Sequence, residues 1–167
     1  LREQLNQYLP EDIVVEAVEP VAPRFHSRLS AVAKTYRYRL WTADVPPVFE
    51  RKYVTVWEQP INKKDMELAA GYLLGTHDFT SFCGNRHLKK SAVRTIYDIR
   101  FIQKERELWI EVTGNGFLQN MMRILVGTLL EVGEGSRKPE DMKRLLEGRD
   151  RSLAGKTMPP QGLCLLE

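Results

Sequence analysis

One segment governs what this chain can fold into: Gly114-Asn115-Gly116-Phe117-Leu118-Gln119-Asn120-Met121-Met122-Arg123-Ile124-Leu125-Val126-Gly127, continued by Thr128-Leu129-Leu130. From Phe117 to Leu130 the only charged side chain is Arg123. A helix that is apolar almost all round is a buried helix, not a surface one. Upstream, Glu107 to Thr113 sets Leu108, Ile110 and Val112 against Glu111 and Thr113, the alternation of a half-buried strand. The two glycines allow a tight turn between strand and helix, and the helix is predicted to run to about Glu131. Arg123 is the exception inside it. A guanidinium does not shed its charge, so in such a helix it needs a carboxylate, a phosphate or several carbonyls beside it. Two readings stand: a structural ion pair or a stem reaching out to solvent, and a cation holding an anion at the floor of an active site.

At 167 residues, 43% of them hydrophobic and 28% charged, the composition is that of one globular domain, long enough to bury roughly two-thirds of its unfolded surface. No apolar run approaches the ~18 residues of a membrane span, and no basic-then-apolar leader opens the sequence. Cys83 and Cys164 lie far apart and histidines number three, which builds neither a disulfide framework nor a zinc site. No membrane partner is expected, and the cytoplasm is the expected compartment. Net charge is +3 but unevenly spread. Arg24, His26, Arg28, Lys34, Arg37 and Arg39 follow one another without an acid, as do Arg86, His87, Lys89, Lys90 and Arg94. Such runs are either solvated faces or, where they converge, attractors of polyanions.

Along the chain, Leu1–Leu9 reads as the end of a helix or a linker, and Ile13–Val18 as a strand. Ala31–Trp41 is a longer strand, with Val32, Tyr36, Tyr38 and Leu40 on one face and Thr35, Arg37 and Arg39 on the other. Tyr53–Trp57 is a short strand. Asn62 caps a helix, with Asp65 three positions on, that runs to Leu73 or Leu74 and stops at Gly75. Thr76–Ser91 reads as a loop. Arg94–Gln103 and Glu107–Thr113 form a hairpin around Lys104-Glu105-Arg106. Pro139 opens a helix that ends at Gly148, and Leu163–Leu166 is a last strand. Hairpins outnumber crossovers, so the expected class is α+β: a mainly antiparallel sheet with helices packed on one face.

Several of these stretches carry a resemblance. Arg24-Phe25-His26-Ser27-Arg28-Leu29-Ser30-Ala31 leading into Lys34-Thr35-Tyr36-Arg37-Tyr38-Arg39 is similar to the tRNA pseudouridine synthase A family. So are Gly75-Thr76-His77-Asp78-Phe79-Thr80-Ser81-Phe82 and Gly116-Phe117-Leu118 through Met122-Arg123 to Val126-Gly127. The closing stretch from Asp150-Arg151-Ser152-Leu153-Ala154-Gly155 to Pro159-Pro160-Gln161-Gly162-Leu163 resembles the family's tail. The resemblance implies a cofactor-free isomerase, working as a homodimer, that converts uridine to pseudouridine at positions 38 to 40 of the tRNA anticodon stem-loop. Its fold would be an antiparallel sheet flanked by helices and built from two similar halves. Its nucleophile would be an aspartate, and the target base would leave its stack to reach an aromatic platform.

Carried over residue by residue, the resemblance makes Tyr36 the tyrosine that stacks on the flipped uracil, where without it Tyr36 reads as a core tyrosine. It makes Arg123 the partner of the catalytic aspartate, and Phe117 and Leu118 pocket-lining residues. Arg24, His26, Arg28 and Lys34 become candidates for phosphate contacts, which fix the register of an RNA but carry no base specificity. Asp78 and Phe79 read as loop-shaping, and His77 as a loop histidine. The family's Gly-Arg-Thr-Asp-Ala-Gly-Val-His motif, which holds the nucleophile, does not occur in these residues. The expectation is therefore a C-terminal two-thirds of the enzyme. Residues 1–23 would be a linker or partial strand from the N-terminal half, and 24–167 the C-terminal RNA-binding and active-site domain, inactive alone. The competing reading is a non-catalytic RNA-binding module derived from the synthase fold.

Overall fold

A computed structural model of the chain describes residues 1–85 and 90–167. Arg86, His87 and Lys89 of the second basic run lie outside the described residues. The chain divides into two units, Leu1–Ala31 and Val32–Glu167.

The first unit holds one helix, α1 (Arg2–Tyr8), followed by extended and turning chain. Ile13–Val18, expected as a strand, forms none. A strand needs a neighbouring backbone, and here the Asn6 side chain takes that place. Its amide donates to the Val15 carbonyl at 2.9 Å and its Oδ1 accepts the Val15 N–H at 2.7 Å. The β-branched composition that suggested a strand describes a fit to a pleated surface, not a backbone preference of its own.

The second unit is built on a six-stranded sheet. Its strands are β1 (Lys34–Trp41), β2 (Thr55–Val56), β3 (Gly75–Asp78), β4 (Val93–Gln103), β5 (Glu107–Gly114) and β6 (Leu163–Leu165). The order is β2-β1-β5-β4-β3, and β6 pairs with the same side of β1 further along. Every pairing is antiparallel except β1 with β2. The helices are α2 (Lys63–Gly71), α3 (Met121–Gly133) and α4 (Asp141–Gly148). This is the expected α+β class. β3 corrects the sequence reading, which took Thr76–Ser91 for loop; it is an edge strand bonded only to β4, and its Gly-Thr-His-Asp sequence has no apolar alternation to announce it.

Register sorts the two sheet faces. Tyr36 lies opposite Val112, Tyr38 opposite Ile110 and Leu40 opposite Leu108, and these side chains join Ile99, Phe101 and the helices in a single apolar core. The other face is laced by ions. Arg37 meets Glu111 and Arg39 meets Glu107 with N–O distances of 2.5 and 2.7 Å, and the Arg37 guanidinium lies 4.0 Å from the centre of the Trp109 ring. Arg37 and Arg39, acid-free in sequence, are thus neutralised across the strand pair. In α3 every residue is buried except Arg123 and Glu131, as an all-apolar helix requires.

α3 begins at Met121, four residues later than the apolar run suggests, because Asn120 adopts a left-handed conformation (φ 58°, ψ 7°) that a helix cannot include. Asn62 does cap α2, its Oδ1 accepting from Asp65 N at 3.3 Å, while its own N–H donates to the Gly133 carbonyl at 2.8 Å and ties α2 to the end of α3.

Candidate functional site

The β5–α3 turn and the first turn of α3 collect the central candidates. Phe117 and Leu118 lie in the turn, and Arg123 is the third residue of the helix. Leu118 is buried in the core, whereas Phe117 and Tyr36 are half-buried. The rings of Tyr36 and Phe117 meet edge to face, centroids 5.0 Å apart and planes at 82°, a favoured aromatic geometry. Tyr36 sits mid-sheet, between Val112 of β5 and Leu165 of β6. Among the described residues its hydroxyl makes no hydrogen bond, so its polar end is available.

Arg123 takes the carbonyl option. Its Nε donates to the Met158 carbonyl, and its Nη1 donates to Asn120 Oδ1 at 3.2 Å. The Met158 N–H in turn donates to the Arg123 carbonyl at 3.2 Å. Among the described residues no carboxylate lies within ion-pair distance of Arg123, and its Nη2 has no hydrogen-bond partner. The guanidinium is therefore held on one side and open on the other.

The tail that carries Met158 reaches α3 because two glycines let it. A side chain at Gly127 would drive into the Lys156 carbonyl. One at Gly155 would meet Thr128 Cα at 2.9 Å and Glu131 Oε1 at 2.7 Å. Gly155 N–H then donates to Thr128 Oγ1 at 3.0 Å, which clamps the tail along the helix. The next link is Tyr38, fully buried, whose hydroxyl donates to the Pro159 carbonyl at 2.7 Å and accepts from Thr55 Oγ1 at 2.7 Å. Burial pushes the Tyr38 phenol up; the Thr55 hydrogen bond and the positive charge of Arg123 oppose this without reversing it. Tyr38, Thr55, Asn120 and Met158 are site residues that the sequence did not offer as such.

Lys34 opens β1, half-buried and opposite Gly114. Arg24, His26 and Arg28 are exposed in the first unit. There the His26 Nδ1 accepts the Arg28 N–H at 3.2 Å and His26 N–H donates to Ser30 Oγ at 3.0 Å, so the imidazole shapes its own turn. Asp78 also shapes its loop, its Oδ1 accepting from Thr80 N–H at 3.0 Å and Thr80 Oγ1 at 2.6 Å. Among the described residues no group of His, Cys, Asp or Glu could hold a metal ion, and no helix is long and apolar enough to cross a membrane. A cleft of about 720 Å³ beside Trp57, Glu134 and Lys156 lies at the opposite end of α3 and contains none of these site residues.

Comparison with known proteins places the sequence in a family. A family model described as tRNA pseudouridine synthase matches residues 69–167. A tRNA pseudouridine synthase A of Bacillus velezensis is 46% identical over 161 residues, and one of Bacillus subtilis 45% identical over 161 residues. A third, of Anoxybacillus flavithermus, is 47% identical over 161 residues. Each match covers 96% of this chain and 65% of the relative, so the chain spans just under two thirds of the length of these relatives.

Proposed function

The chain belongs to the tRNA pseudouridine synthase family, and on that premise we propose that it forms the part of such an enzyme that receives the target uridine and steadies the nucleophile. The substrate is the anticodon stem-loop of tRNA, at positions 38 to 40, and the active enzyme is a homodimer that needs no cofactor. The observation that carries this reading is the state of Arg123: a charge kept inside a buried helix, anchored by two carbonyl oxygens, with an open Nη2 and no acid of its own among the described residues.

An aspartate supplied from outside these 167 residues pairs with Arg123 and attacks C1′ of the target nucleotide as the C1′–N1 bond breaks. The uracil turns, C5 attacks C1′ and releases the carboxylate, and the C5 proton leaves as N1 gains one. Tyr36, backed by the edge of Phe117, stacks on the extruded uracil, with Leu118 closing the apolar floor. Arg24, His26, Arg28 and Lys34 engage phosphates. Alone, the chain binds without isomerising.

Tritium release from tRNA labelled at uracil C5 tests this, with the chain alone and then with the remaining N-terminal portion of a relative added. Silence followed by release on mixing is the expected result. Release by the chain alone would place the nucleophile among its own aspartates and overturn the division of labour. Silence in both conditions, with RNA still bound, would leave the non-catalytic RNA-binding module.

A further inference from the structure

A cationic cleft lies beside the 79–85 segment. It has a volume of about 440 Å³ and is lined by Asp78, Thr80, Lys90, Ser91, Arg149 and Arg151, among others. Gly84 N–H donates to the Gln119 carbonyl at 2.8 Å, so one short segment is shared by this cleft and by the turn that opens α3.

Arg149 is the odd residue there. It follows α4 in the left-handed conformation, φ 47° and ψ 33°, at the position where helices ordinarily place glycine. The glycine is one residue early. A side chain on Gly148 would meet the movable end of the exposed Leu153, its Cδ1, at 2.6 Å. The left-handed position falls to Arg149 at a backbone cost of order 1 kcal/mol, and what Arg149 brings to the cleft is its side chain. That side chain is exposed, with Nε 3.4 Å from Asp78 Oδ2. The contact is loose at that distance, and Asp78 Oδ1 is separately committed to both donors of Thr80. Arg151 is turned inward, onto the Ala154 carbonyl and Thr157 Oγ1, and contributes charge more than reach. Nearby Arg94 donates through Nη1 to the Ser91 and Val93 carbonyls. Among the described residues that line the cleft, Lys90 and Arg149 are the exposed cations, and with Arg151 they face the carboxylate of Asp78.

We infer that this cleft is a phosphodiester-binding site, in which Arg149 and Lys90 hold the backbone of the bound RNA next to the nucleotide at Arg123. The inference rests on the RNA-modifying reading above. Asp78 is Arg149's resting partner, and a phosphate displaces it by offering a bidentate acceptor to the guanidinium fork.

The test is equilibrium binding of an anticodon stem-loop RNA to this chain across a salt series, with thermal melting of each variant. Arg149→Gly is expected to melt no lower than the parent, since glycine relieves the left-handed backbone, yet to bind RNA more weakly with a salt slope smaller by about 1. Lys90→Gln should lower the slope by a similar step, and Arg149→Lys should restore most of the affinity. Asp78→Asn, which frees the guanidinium, should hold or raise affinity. Parent-like affinity and slope for Arg149→Gly would overturn the cleft and leave the RNA-binding reading standing. Weakened binding by Asp78→Asn would make the ion pair structural and also overturn it. No binding by the parent chain would remove the RNA reading itself, and this inference with it.

Discussion

Arg123 and Met158 hold each other twice: the arginine side chain donates through Nε to the Met158 carbonyl, and the Met158 N–H donates to the arginine's own carbonyl at 3.2 Å. Thirty-five positions apart in sequence, they make one unit. The cation cannot be placed without the tail, and the tail cannot lie there without the glycines facing it.

That dependence gives the first prediction. Gly155→Ala puts a methyl group within 2.9 Å of the α3 backbone, and Gly127→Ala collides with the Lys156 carbonyl. Neither neighbour is the end of a flexible side chain, so backbone has to move. Each variant is expected to lose about 1–3 kcal/mol of stability, read by urea denaturation, and to release Arg123 from Met158. Unchanged midpoints would show that the tail does not lie on α3.

Tyr38→Phe keeps the ring and removes the hydroxyl that joins Thr55 to Pro159. The Pro159 carbonyl and the Thr55 hydroxyl then lose a partner in a dry setting, and about 1–3 kcal/mol of stability is expected to go. Tyr38→Phe with Thr55→Val should recover part of the loss, because apolar replacement of both groups removes the unpaired hydroxyl. A double variant no better than the single one would count against the shared network.

Glu107 and Tyr38 act at opposite ends of the pH profile. The hydrogen bond from Arg39 draws the Glu107 carboxyl below its ordinary 4.5; burial opposes, and Trp109 with the charges of Arg39 and Arg37 adds to the lowering. Its stabilising effect is complete above that ordinary value and is lost as pH falls through the lower folded one. Tyr38 is raised, so its contribution is complete below 10.0 and is lost as pH rises beyond it. A melting profile should therefore fall on both flanks, and Glu107→Gln should flatten the acid flank alone. An acid flank untouched by Glu107→Gln would place the sensitive carboxylate elsewhere.

How far the sequence could be read follows from where each feature gets its information. β1, the β4–β5 hairpin and α3 carry their own periodicity, and Asn62 carries its own cap, so they were legible within a few residues. β3 was not, because an edge strand with exposed Gly75 and Thr76 has no buried face to write an alternation. Ile13–Val18 misled for the converse reason: β-branched residues without a partner strand. At the site, Arg123 could be singled out by charge alone, since one cation in an apolar helix demands a partner. Which partner it found was not legible, because Met158 supplies a main-chain carbonyl and any residue type has one. Asn120 was hidden similarly, its left-handed backbone being a property of the turn.

Tyr36→Phe is expected to leave thermal stability unchanged, because the hydroxyl has no hydrogen-bond partner among the described residues and the edge contact with Phe117 belongs to the ring. In a full-length relative carrying the same change, any loss of turnover is then chemical. Retained turnover assigns Tyr36 to stacking; a loss of about 100-fold or more assigns its hydroxyl to proton transfer. A lowered melting temperature would instead show that the hydroxyl is structurally engaged.

Arg123→Lys separates charge from geometry. Lysine keeps the positive charge but has no Nε–H fixed against Met158 and no planar fork to hold Asn120 Oδ1 while presenting a further N–H pair. If Arg123 serves only the fold, the substitution costs stability and leaves the turnover of the folded fraction intact. If it steadies an incoming carboxylate, RNA affinity survives while, in a full-length relative carrying the same change, tritium release from C5-labelled tRNA falls by about 100-fold or more, the scale of losing one aimed donor at a reacting centre. The second outcome is expected, because Nη2 has no hydrogen-bond partner among the described residues. Binding and release falling together, in step with a lower melting temperature, would return Arg123 to the core.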